Sequence, residues 1–313
     1  MPHPHALSRS LAALVLCALA LLPALSPAQV TLLVPSEPEV GASAPPPPPA
    51  EPAAKTAPQS QGGTQGDAAA GPAQAPQEPE VDVLITMMRP HAHQGLPMDM
   101  PQLFTVLRYD RQARDENGRL VPERHDLLGD VEEIVYLDQK AWGANVALDK
   151  AGLRQFLLEA RPWWDAARDC FVQHYVKVLV PVLGQDAGWA ESAGQRFEIV
   201  PSTRPFGLTA PCLFAGQALF EGRPLAQATV RFERINTDDR KAPTPWHEHL
   251  EVLTDDRGRF AAVLNQPGWW SCMATTQGAP LKGPDGQNRA LELGSIFWLY
   301  VDANMVVTPE KRK

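Results

Sequence analysis

The sequence predicts an all-β protein, with two Ig-like β-sandwich domains behind an export signal and a disordered, proline-rich tether. All 22 aromatic residues lie from Phe104 onward, so the first eighty positions hold little from which to build a core. Further along, short runs alternate apolar and polar residues with period two. Gly, Pro and Asp turns interrupt these runs every ~8–12 residues, the spacing of sandwich strands. A chain of 313 residues has room for about two domains of ~100–200 residues each.

Residues 1–28 read as a signal peptide. His3, His5 and Arg9 precede an apolar run over 11–25, and Ser26-Pro27-Ala28 supplies small residues for a signal peptidase. The run contains Pro23 and falls short of the ~20 apolar residues that span a bilayer. Leu16 before Cys17 is too large for lipoprotein processing. The expectation is an exported, periplasmic protein with no membrane span in the mature chain; retention as an uncleaved anchor is the alternative. Residues 29–80 hold 12 prolines, including the run 45–49, and read as an extended linker.

From Val81 the strands begin. Over 170–180, Cys170, Val172, His174, Val176, Val178 and Val180 share one face, and Phe171, Gln173, Tyr175 and Lys177 the other. Thr229 to Glu233 points Val230 and Phe232 inward and Arg231 outward, and 295–301 is apolar on both faces, as a central strand is. The stretch 254–260, with Gly258, carries a hairpin signal. Short helices are expected at 151–156 and 163–169. The Gly/Ala-rich bridge 184–194 divides a first domain, 81–183, from a second, 195–303, leaving a basic tail over 304–313. Cys170, Cys212 and Cys272 allow either one disulfide, Cys212 with Cys272, or three free thiols.

A net charge of −8 argues against nucleic acid and anionic lipid as partners. There is no Gly-x-Gly-x-x-Gly after a strand, no Walker loop and no Gly-x-Ser-x-Gly elbow, so an enzyme is not expected. Asp255-Asp256 reads as solvated turn chemistry. The pairs Trp163-Trp164 and Trp269-Trp270 cannot form flat platforms, because neighbours on a strand face opposite ways.

The concentrated chemistry lies over 87–100. Of the six methionines and six histidines beyond the signal, this window holds Met87, Met88, Met98 and Met100 with His91 and His93. Imidazole suits nickel, cobalt, copper and zinc, while thioether sulfur selects Cu(I). In extended chain His91 and His93 point the same way, and a bend at Gly95/Pro97 returns Asp99 toward them. Asp99 favours Ni(II), Co(II) or Zn(II); Met98 and Met100 pull toward Cu(I). His247 and His249, with Glu251 beyond, form a second or convergent site. His174, on an apolar face, reads instead as a hydrogen-bonded core histidine.

Four stretches carry a resemblance. They are His91 with Pro97-Met98-Asp99-Met100; Glu198-Ile199-Val200-Pro201 with Pro205-Phe206; Ala218-Leu219-Phe220-Glu221-Gly222-Arg223-Pro224-Leu225; and Thr254-Asp255 through Gly258-Arg259-Phe260 to Pro267-Gly268-Trp269-Trp270. From about Val83 to Asp302 the chain resembles exported bacterial proteins described as periplasmic components of nickel/cobalt ABC-type uptake systems. Many of those are filed only as a domain of unknown function. The last two stretches also resemble general Ig-like and carboxypeptidase-regulatory-like sandwich modules. The resemblance implies a β-rich exported protein with a role in transition-metal uptake. With the loop histidines and Asp99 it leads to the expectation of a protein that captures Ni(II) or Co(II) and passes it to a membrane importer without turnover. Only His91 and the Met98-Asp99-Met100 turn transfer by position. The chain departs from the family in its proline-rich tether and in the second His of each His-x-His. The alternative is a structural or interaction module of the cell envelope.

Overall fold

The structure, a computed structural model, describes residues 29–41 and 79–303. The expected signal peptide and basic tail lie outside the described residues. In chain order the strands are β1 (Val30–Pro35), β2 (Glu80–Arg89), β3 (Gln94–Leu96), β4 (Leu103–Tyr109), β5 (Glu123–Asp126), β6 (Glu132–Tyr136) and β7 (Gln139–Ala147). Next come β8 (Gly152–Glu159), β9 (Trp163–Asp165), β10 (Cys170–Val182), β11 (Phe197–Pro201), β12 (Leu208–Thr209) and β13 (Cys212–Phe220). The last are β14 (Arg223–Pro224), β15 (Thr229–Arg234), β16 (Leu250–Leu253), β17 (Arg259–Leu264), β18 (Gly268–Lys282) and β19 (Asn288–Asp302).

Among the described residues these strands make three sheets. The first runs β1-β2-β7-β6 with β3 against β2. The central one runs β16-β15-β18-β19-β10-β8-β4-β5, with β12 on β19 and β9 on β10. The third runs β11-β13-β14 with β17 on β13. The middle of the central sheet is buried on both faces, while its edge strands β5 and β16 are exposed. Val176, Val178, Val180, Ile296 and Trp298 pack with β1 and β2 in one core. Their neighbours Tyr175, Leu179, Phe297 and Leu299 pack with Phe197, Phe214 and Phe260 in the other. The period-two reading of 170–180 therefore assigned its faces correctly, and both faces are core.

The bridge at 184–194 does not separate two sheets. β10, from before it, pairs in parallel with β19, from after it, in a register running from Phe171 opposite Leu291 to Val178 opposite Trp298. The turn at 254–260 also differs from the expected hairpin. Gly258 has the positive φ of +71° that closes it, but β16 pairs with β15 and β17 with β13, so the turn carries the chain from one sheet to another.

Two further expectations are corrected. The linker does not begin at residue 29, because β1 pairs antiparallel with β2 from Val30 opposite Met88 to Pro35 opposite Val83. Its aliphatic run buries Val30, Leu32 and Leu33, and Val40 bridges to Val182. The stretch 151–156 is strand, not helix. Its polar residues break the strand pattern because they are buried and donate to carbonyls: Arg154 to Lys150 O at 2.6 Å and Gln155 to Gly188 O at 2.8 Å. The stretch 163–169 is the short strand β9 and a turn in which Asp165 accepts the amides of Ala167 and Arg168. Of the two alternatives for the cysteines the structure has the second: Cys170, Cys212 and Cys272 are free thiols. Cys272 lies in the central sheet opposite Phe232 and Phe297, whereas Cys212 pairs with Leu264 in the third.

Two buried polar groups tie the layers together. His174 is the expected core histidine, its Nδ1 2.9 Å from Thr31 Oγ1 and its ring edge-on to Trp163. Burial, reinforced by Arg168, pushes its pKa down to about 3, so it is neutral. Lys177 of β10 and Glu198 of β11 form a fully buried ion pair at 2.5 Å. The carboxylate also accepts from Ser192 Oγ, Ala193 N and Gly194 N. Burial alone pushes the Glu198 pKa up, but Lys177 and these donors together hold it below its ordinary value.

Leu33→Ala is expected to cost about 2–5 kcal/mol in chemical denaturation, the range for truncating a packed aliphatic core residue. A position in an unpacked tether would change stability by no more than about 0.5 kcal/mol. Lys177→Met should cost about 3–5 kcal/mol, because it leaves Glu198 charged and unpaired in the interior. Adding Glu198→Gln removes that charge while keeping one oxygen as an acceptor, for either the Ala193 amide or the Gly194 amide with the Ser192 hydroxyl. The double variant should therefore be more stable than Lys177→Met alone.

Candidate functional site

His91 and His93 lie in the tight turn joining β2 to β3, not in extended chain. His93 adopts a positive φ of +47° and its N–H donates to Pro90 O at 3.2 Å. The same-side arrangement expected for the pair therefore does not apply. The turn is docked on the loop that leaves β15. The Asn236 N–H donates to Pro90 O and its side-chain amide to His91 O, both at 3.0 Å. The same side chain accepts from Arg240 N at 2.9 Å and donates to Arg240 O at 3.0 Å. Asn236 is a positioning residue that the sequence did not reveal, since Asn-Thr-Asp-Asp after a strand reads only as turn chemistry.

The second His-x-His approaches from the other side. His247 ends a single 3-10 turn, Pro245–His247, with Nδ1 2.8 Å from Thr244 Oγ1. His249 leads into β16, with Nδ1 2.8 Å from the Arg231 guanidinium and Nε2 4.0 Å from Glu251. His91, His247 and His249 line one cavity of about 420 Å³, together with Glu248, Arg234 and Arg240. Asp238 pairs with both of these arginines. Arg234 and then Arg240 hold its carboxyl down to a pKa of about 2.

The two histidines of this motif differ in what they can offer a metal. A guanidinium only donates, so the Nδ1 of His249 must accept, and in the neutral ring the proton then sits on Nε2. That leaves His249 no free lone pair while the contact with Arg231 stands. Burial and then Arg231 lower its pKa. Thr244 can accept from Nδ1–H of His247, which frees Nε2, the arrangement that outer partners impose on ligating histidines. His91 and His247 are thus the imidazoles best able to ligate here.

The remaining candidates lie elsewhere. Met98 is buried in the first core, and its carbonyl accepts from Trp142 Nε1 at 3.0 Å. Met98 and Asp99 line a different cavity, of about 250 Å³. Met100 is half-buried against the first core. Asp99 is not brought to His91. Among the described residues no group of three or more His, Cys, Asp or Glu side chains is placed to hold a metal ion.

The comparison that decides the family is with residues 69–278, which match the family described as Domain of unknown function (DUF4198). The chain belongs to that family. No curated protein matches this DUF4198 chain. Among solved structures it has slight likenesses to red sea bream transglutaminase (10% identity, TM-score 0.18, covering 72% of this chain and 29% of that one). A biofilm-associated protein BSP domain (8%, 0.19, 72% and 48%) and BcpA, the major pilin subunit of Bacillus cereus (9%, 0.16, 72% and 63%), are similar at the same level. The chain spans less than two thirds of each, and likeness so slight says nothing about function.

Asn236→Ala removes the side chain that holds the His91 turn to the loop at 236–240. It is expected to cost about 1–3 kcal/mol, since the three hydrogen bonds of the buried Asn236 side chain are lost. Amide exchange should quicken at Arg240, whose N–H loses its acceptor. Unchanged exchange and stability would mean that the turn is held by other contacts.

Proposed function

We propose that this DUF4198 protein is an exported, non-enzymatic carrier that captures a divalent transition-metal ion, Ni(II) or Co(II), and releases it to a membrane importer. The observation that carries this reading is that His91 and His247, from motifs far apart in sequence, line one cavity. The resemblance to periplasmic nickel/cobalt uptake components supports the choice of metal. Two imidazoles, with water completing the shell, suit an ion that must leave again. Imidazolium cannot ligate, so capture weakens on acidification.

A second reading, an interaction module of the cell envelope, draws on a different observation. Trp246 is 80% exposed, and Leu250 and Leu253 on the adjoining edge strand β16 are exposed as well.

Calorimetry of the full chain with Ni(II), Co(II), Zn(II) and Cu(I) separates the two. His91→Ala and His247→Ala should each weaken Ni(II) or Co(II) binding by at least about tenfold, the loss of one ligand's worth of affinity. Met98→Leu and Met100→Leu should leave it unchanged. If none of these ions binds the parent at micromolar concentration, the carrier function is wrong and the interaction module takes its place.

A further inference from the structure

The cavity of about 250 Å³ that holds Met98 and Asp99 does not take part in the proposed metal capture. It gathers segments far apart in the chain: Met87 on β2, Met98 and Asp99 beyond β3, Lys140 on β7, and Arg161 with Trp163 at β9. The geometry points to a binding site here for a small zwitterion with an apolar side chain, an α-amino acid about the size of leucine. The space is below the ~300–1,000 Å³ of pockets for drug-sized ligands, so an occupant must be small.

Each part of such a ligand has a counterpart. Met87 and Met98, both buried, supply an apolar surface, with thioethers that adapt to an irregular aliphatic group. Trp163 forms part of the wall, and its buried indole Nε1 has no acceptor among the described residues. That nitrogen has essentially no surface open to the cavity, so Trp163 serves there as an apolar wall. Arg161 donates through Nε to Met100 O at 3.1 Å, and among the described residues its terminal amines make no hydrogen bond. Arg161 is exposed at the rim of the cavity, and a guanidinium with a free edge is a receptor for a carboxylate.

The opposite charge is present as well. Lys140 is taken up by Glu133 at 3.0 Å and lies over the Trp142 ring. Asp99 is exposed and makes no ion pair among the described residues, so it is available to an ammonium group. One free cation and one free carboxylate flanking an apolar surface match a zwitterion better than a simple acid or amine.

The test uses the full chain labelled with ¹⁵N, with the Trp163 indole N–H signal assigned by its loss in Trp163→Phe. L-Leucine is expected to shift that signal saturably. 3-Methylbutylamine, which lacks the carboxylate, should not shift it, and 4-methylpentanoate, which lacks the ammonium, should bind more weakly than leucine. Arg161→Gln should weaken leucine binding by at least about tenfold, as loss of a charge-assisted contact does. Asp99→Asn should weaken leucine but leave 4-methylpentanoate unchanged. The site is overturned if leucine does not move the signal at about 10 mM, well above the millimolar affinity of even a weak ligand. It is overturned equally if the amine binds as well as leucine, or if Arg161→Gln binds leucine as the parent does. Equal binding of 4-methylpentanoate and leucine to the parent would remove the zwitterion and with it the role of Asp99. None of these outcomes depends on whether a metal binds at His91 and His247.

Discussion

The parallel pairing of β10 with β19 is the constraint from which the rest of the architecture follows. Parallel strands cannot be joined by a tight turn, and their crossover must cover a face of the sheet. Here the crossover is the chain between 183 and 287, which builds the third sheet over one face and also adds β12, β15, β16 and β18 to the central sheet itself. The first sheet covers the opposite face. A strand buried on both sides needs apolar residues at every position, or polar residues with assured partners. β10 meets that demand with valines on one face, Tyr175 and Leu179 on the other, and His174 and Lys177 where a partner is supplied by another layer.

Those polar exceptions connect the layers at defined points. His174 reaches β1 of the first sheet through Thr31, and Trp298 Nε1 donates to the Thr31 carbonyl at 3.0 Å from the central sheet. Lys177 reaches β11 of the third sheet through Glu198. An apolar contact allows sliding, whereas a buried hydrogen bond has one satisfied geometry, because an unmet partner costs more than the bond returns. The two cavities that hold the functional candidates lie where loops of different sheets come together. The 420 Å³ cavity depends on Asn236 holding the β2–β3 turn to the loop after β15. The 250 Å³ cavity depends on β9 lying against β10 opposite the segment after β3.

Local pattern therefore determined a good deal. Alternation over 170–180 and 229–233, the doubly apolar 295–301, the positive-φ turn at Gly258 and the core character of His174 were all readable, because each depends on neighbours within a few residues. Neighbouring tryptophans do face different surroundings: Trp163 meets His174 and Trp164 meets Phe171. Much of what sequence alone misjudged traces to long-range pairing. Val30–Pro35 looked like part of a proline-rich linker because its partner, β2, lies beyond that proline-rich stretch. The stretch 151–156 looked helical because Arg154 and Gln155 are polar, yet both are buried against carbonyls. The candidate ligands divided for the same reason. His91 met His247 through a contact between loops about 150 residues apart in sequence, and Asp99, eight residues from His91, went to another cavity. Composition and periodicity settled that the fold is β-rich and located several of its strands, at 170–180, 229–233 and 295–301. Which strands pair, and hence which side chains share a cavity, was decided only by tertiary structure, because strand pairing is made by backbone groups that every residue type except proline carries alike.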